Sequence, residues 1–126
     1  MQDQILGLYP IVSKNNAQAN TLYNNILLLS RNKLFYTKFG LDDSFNNRIY
    51  LIFLHTSFLF IKIKQKNKNL KYKELYQKTF DIIFNKIELN MREIGYGDVT
   101  VNKNMKLLVK IFYNILLESE IYTKKN

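Results

Sequence analysis

Residues 91–106, MREIGYGDVTVNKNMK, constrain this chain more than any other stretch. Two of its four glycines, Gly95 and Gly97, stand two residues apart, and on both sides apolar residues recur at helical spacing. The pattern predicts helix, tight turn, helix. Gly95 is suited to the left-handed conformation that ends a helix, and Gly97 frees the turn backbone. Asp98 or Thr100 is placed to bond the open amides of the next helix. Residue types alone favour an ordinary helix corner. With no third glycine, no preceding strand and no Gly-Lys-Ser/Thr, this is not a phosphate loop.

The apolar spacing extends the reading in both directions. Upstream, Tyr72, Leu75, Tyr76, Thr79, Phe80, Ile83, Phe84, Ile87, Met91 and Ile94 trace one stripe. Lys73, Lys78, Asp81, Lys86, Glu88 and Arg92 fall on the outer face. Downstream, Val101, Met105, Leu108, Phe112 and Ile115 form a second stripe, widened by Leu107, Ile111 and Leu116, to an end near Glu118. Nearer the start, Leu22, Tyr23, Ile26, Leu27 and Leu29 predict a helix over 17–29, capped by Asn15 or Asn16. A short aromatic segment over 31–39 is closed by Gly40. Ser44 or Asn46 is placed to cap a helix over 48–64 that is apolar on nearly every face, which predicts burial at the centre of a bundle. A membrane-spanning helix needs roughly 20 apolar residues, and His55, Thr56 and Ser57 interrupt this run.

No alternating strand pattern appears. The expected fold is all-α: a single helical bundle of four main helices plus one short one. Residues 1–16, broken by Gly7 and Pro10, read as a weakly structured lead-in, residues 17–118 as the domain, and residues 119–126 as a frayed basic tail.

A net charge of +9 would ordinarily direct attention to nucleic acid or an anionic membrane. Sixteen lysines against three arginines, with 16 asparagines and 14 isoleucines, instead fit an A/T-biased coding sequence. Arginine forks that read bases are nearly absent, which argues against nucleic acid. The run over 62–73 holds six lysines and reads as a solvated helix end and loop. Its functional reading is a basic patch at an anionic membrane surface. With no cysteine and one histidine, disulfides, thiolate chemistry and most zinc sites are excluded. No nucleophile and base, metal cluster or carboxylate pair is visible, so no catalytic, cofactor or metal site is assigned. His55 on an apolar helix reads as a hydrogen-bonded core residue, and Arg48 is the polar group placed to join it in a pocket. The first residues lack a secretory or organelle-targeting pattern, and a cytoplasmic location is expected.

With these elements placed, residues 22–112 resemble the ubiquinol-cytochrome c chaperone family, assembly factors of ubiquinol-cytochrome c reductase. The likeness is carried in order by Leu22-Tyr23, then Phe35-Tyr36 with Gly40 and Asp43, Arg48, Leu54-His55, and FDIIFNKIE from Phe80 to Glu88. It ends in Met91-Arg92-Glu93-Ile94-Gly95-Tyr96-Gly97-Asp98-Val99, trailed by Val101, Lys103, Lys106 and Phe112-Tyr113. The departures are Asp42, Asn47, Lys86, Asn104 and Asn114-Ile115; Lys86 stands where the family is typically acidic. The resemblance implies a non-enzymatic protein that binds newly made cytochrome b and protects it transiently, without cofactor or nucleotide. It implies a bacterial-type member, peripheral on the inner face of the inner membrane, and admits a small helper subunit as a further partner. It directs attention to Arg92, Glu93, Gly95, Gly97, Asp98, Lys103 and Lys106, and secondarily to Arg48 and His55, as groups that meet the client or fix the corner. The alternative is a small basic helical domain that binds an anionic membrane surface or nucleic acid.

Overall fold

The computed structural model describes residues 14–66 and 71–125. In chain order these form α1 (Lys14–Ser30), the single turn α2 (Leu34–Thr37), α3 (Phe45–Lys66), α4 (Lys71–Ile94) and α5 (Asp98–Lys125). Among the described residues there is no strand, and the all-α bundle of four long helices and one short one is as the periodicity predicts. Of the expected lead-in over 1–16, residues 14–16 belong to α1 and residues 1–13 lie outside the described residues. So does the middle of the lysine run, 67–70, with α3 and α4 ending and beginning on either side of it.

Several boundaries move. Helix α1 starts at Lys14, so Asn15 and Asn16 fall inside its first turn rather than at its cap. Helix α5 continues to Lys125 instead of ending near Glu118, because Ser119 is still buried against the bundle and tethers the last turns. Ser44 is the cap of α3: its hydroxyl accepts the Asn47 amide at 3.1 Å and its carbonyl the Arg48 amide at 3.0 Å.

Helix α1 packs on α4 and α3, α3 packs on α5, and α4 and α5 meet beyond the glycine corner. Phenylalanines fill the centre. The Phe112 ring stands edge-on to Phe53 at 5.3 Å, Phe80 at 5.6 Å, Phe84 at 5.9 Å and Phe60 at 6.1 Å. Edge-to-face packing of this kind adds about 0.5–1.5 kcal/mol per pair beyond area burial. Ile26, Ile49, Ile83, Ile87, Met91, Val101 and Leu108 extend the core to the corner.

Several side chains depart from the expected faces, among them Leu29, assigned inward on α1 and found exposed. Lys86, assigned by periodicity to the outer face of α4, is buried at 6% exposure because α1 covers that flank of the helix. Leu107, assigned to the apolar stripe of α5, is 55% exposed, and Ile94 is left in the open at the corner. Helix α3 is not enclosed: Ile49, Phe53, Phe60 and Ile61 face inward, but Tyr50, Leu54 and Phe58 stay exposed at four-residue spacing. Among the described residues no further long helix covers that line.

Candidate functional site

The corner between α4 and α5 is built as its sequence requires. Gly95 has φ +108°, the left-handed region where a side chain is strained. The Gly95 amide donates to the Arg92 carbonyl at 3.0 Å and the Tyr96 amide to the Met91 carbonyl at 3.1 Å. Those two bonds make a Schellman termination of α4. Gly97 does not need positive φ. It serves as the residue before α5, its carbonyl accepting the Val101 amide at 2.9 Å. Asp98 and Thr100 therefore lie within the first turn of α5 rather than capping it.

The Asp98 carboxylate instead accepts a hydrogen bond from the Arg92 guanidinium across the corner, and Glu88 lies 3.9 Å from Arg92 one turn back. The bond to Asp98, more than any other influence, holds the Arg92 pKa above its ordinary value. Glu93, Lys103 and Lys106 are exposed and make no ion pair among the described residues.

The corner opens onto a groove. Tyr96 from the turn, Tyr50 from α3, and Leu107 with Ile111 from α5 line a 220 Å³ depression floored by Met91, with Asn46 and Asn104 adding polar groups to its lining. From Tyr50 the exposed line continues along α3 through Leu54 and Phe58. Lys103 and Lys110 flank Leu107 at helical spacing, four residues before it and three after, so cations rim the apolar surface. The sequence places Tyr50, Leu54, Phe58 and Leu107 in the core first. It allows that part of the 48–64 helix touches lipid and that the aromatics suit a groove for an apolar helix, but singles out none of these residues or Tyr96 as a surface group. The available signal was arithmetic: a helix apolar on nearly every side, with too few other helices among the described residues to cover it.

Arg48 and His55 do not converge on one pocket. Arg48 grips Asp43 with both arms, Nε at 2.6 Å and Nη2 at 2.9 Å, and that bond draws the Asp43 carboxyl below its usual range. His55 Nδ1 lies 2.7 Å from the Leu51 carbonyl, to which it donates, and 3.4 Å from the Ser30 hydroxyl. The Phe35 ring meets the imidazole edge-on at 5.5 Å. These contacts make His55 a link between α1, α2 and α3. Arg48 lines a separate 360 Å³ cleft with residues of α1 and α4. A third cavity, of 370 Å³, lies between α3, α4 and α5, where Tyr76 stacks on Phe60 at 3.7 Å. Burial, with smaller contributions from Tyr113 and Glu120, pushes the Tyr76 pKa up to about 12.

Among the described residues no group of three or more His, Cys, Asp or Glu side chains is placed to hold a metal ion. No helix among them is long and apolar enough to cross a membrane.

Helices closed on a phenylalanine core, with a glycine corner opening onto a groove of mixed lining beside exposed apolar side chains, define an all-α bundle with a surface groove. The ubiquinol-cytochrome C chaperone family model matches residues 37–121, from the end of α2 through most of α5. The chain therefore belongs to the ubiquinol-cytochrome c chaperone family, as its motifs predict, a family of generally non-catalytic proteins. It is similar to the crystal structure of the Cbp3 homolog from Brucella abortus, with a TM-score of 0.66 and 32% sequence identity. That likeness covers 87% of this chain and 60% of the Brucella chain, so this chain spans well under two thirds of its relative's length. No curated protein matches it.

Proposed function

We propose that this protein is a non-enzymatic assembly chaperone of ubiquinol-cytochrome c reductase that binds and shields newly made cytochrome b. The observation that carries the reading is the uncovered apolar surface running from Tyr96 and Leu107 across Tyr50 to Leu54 and Phe58. An apolar helix of a membrane protein, waiting for its partners, needs such a surface, and grooves of this type hold helices by anchors at helical spacing. Arg92, Asp98 and Gly95 set the corner that positions Tyr96, while Glu93, Lys103 and Lys106 are the free charges beside the groove. Lys103 and Lys106 would hold the complex at the anionic inner face of the membrane, where each basic residue is worth on the order of 1 kcal/mol. Binding of this kind needs no cofactor and no covalent step, and leaves room for a helper subunit elsewhere on the bundle.

The test is co-isolation of pulse-labelled cytochrome b with the tagged protein. Recovery should be reduced by Leu107→Glu and by Leu54→Glu, with both variants folded. Recovery of labelled cytochrome b at the background of an untagged strain would refute the reading.

A further inference from the structure

The 360 Å³ cleft between α1, α2, α3 and α4 is distinct from the apolar groove and has different chemistry. Its floor is aliphatic, with Ile49, Ile52, Ile83 and Ile87, and its walls carry Arg31, Lys33, Arg48 and Lys86. The one carboxylate in the lining, Asp43, is already held by Arg48. Three cations are thus left without a carboxylate among the described residues.

Lys86 is the informative one. A lysine that merely covers apolar surface with its stem keeps its head in bulk water. Lys86 is 6% exposed and lines the cleft with no ion pair among the described residues, but its ammonium is not one of the fully enclosed atoms that lack a partner, so it still reaches solvent. A cation on the wall of an aliphatic cleft with no free carboxylate beside it is complemented by a bound anion, through a charge-assisted hydrogen bond. The cavity volume lies within the roughly 300–1,000 Å³ of small-molecule sites.

We propose that this cleft binds a small amphiphile carrying one acidic head group, with Lys86 pairing the head, Arg31 and Lys33 at the mouth, and the isoleucines taking the alkyl body. The inference does not rest on the chaperone reading, since the cleft, although it shares Phe45 with the groove assigned to the client, is otherwise lined by different residues. The same head-group chemistry could come from a free fatty acid or from a phospholipid.

Calorimetric titration of the full chain tests this, using decanoate, decanol and short-chain phosphatidic acid below their micelle concentrations. Saturable 1:1 binding of decanoate or phosphatidic acid is expected, and the tighter of the two names the source. Lys86→Met should weaken it by about tenfold or more, the scale of a charge-assisted hydrogen bond, while raising or preserving the melting temperature. Arg31→Gln, at the exposed mouth, should weaken it by a smaller factor and serves as the decisive variant if Lys86→Met does not fold. Decanol binding as tightly as decanoate, affinity unchanged in the decisive variant, or no saturable binding of either acid would each overturn the proposal.

Discussion

The Arg92 guanidinium, on the last turn of α4, hydrogen-bonds the Asp98 carboxylate that opens α5. The pair spans the glycine corner from outside, with both side chains well exposed. Water and salt screen such a pair, so its strength as a brace is small. Arg92→Ala and Asp98→Asn should leave the thermal midpoint nearly unchanged. If either variant nonetheless lowers cytochrome b in cells, these charges act on a partner; if neither does, they only orient the corner.

Gly95 and Gly97 look equivalent in the sequence and are not. At Gly95, φ is +108°, whereas Gly97 lies outside the positive-φ region and both positions have open space for a side chain. Gly95→Ser should therefore cost about 1–2 kcal/mol, the strain of a side chain in the left-handed region. Gly97→Ser adds a side-chain acceptor before α5 and should be neutral or stabilising by up to about 1 kcal/mol. Urea denaturation of the two variants measures the contrast, and equal losses at both positions would contradict it.

Phe112 is 1% exposed and touches rings from α3, α4 and its own helix. Its truncation to alanine should cost about 3–5 kcal/mol through lost burial and an unfilled cavity. The check is the denaturation midpoint, or, if the loss exceeds the chain's stability, loss of soluble helical protein.

Tyr76 sets an alkaline limit. Its pKa is pushed up to about 12 in the folded chain, against roughly 10 when unfolded. The unfolded state releases its proton first, so stability is intact below about pH 10 and declines as pH rises from about 10 towards 12. Ultraviolet titration of tyrosinate should show late-titrating groups in wild type, Tyr76 and Tyr23, both raised by burial, of which Tyr76→Phe removes the first. The variant's stability should also fall less over that window.

The fold was largely legible because its helices announce themselves locally. The stripe from Tyr76 to Met91, the hydroxyl of Ser44 and the dihedral demand at Gly95 each depend on neighbours within a few residues. What the sequence hid depends on which helix lies next to which. Lys86 occupies a flank of α4 that looks solvated until α1 is placed against it. Leu107 and Leu54 look like core until the helices able to cover them have been used elsewhere. The family motif marked the corner but not the groove beside it, because Tyr96 reads as a turn residue until Tyr50 and Leu107 are seen around it.

The groove variants separate surface from scaffold. Leu107 is 55% and Leu54 39% exposed, so Leu107→Glu and Leu54→Glu should change stability by only about 0.5 kcal/mol. A large drop in their denaturation midpoints would mean that these leucines belong to the core.

The most direct test of the central claim is to delete the gene and quantify cytochrome b and assembled ubiquinol-cytochrome c reductase in the membrane, with cytochrome b message measured alongside. Both proteins should fall while the message stays constant, and the wild-type chain should restore them while Leu107→Glu restores less. Unchanged levels of both in the deletion strain would contradict it.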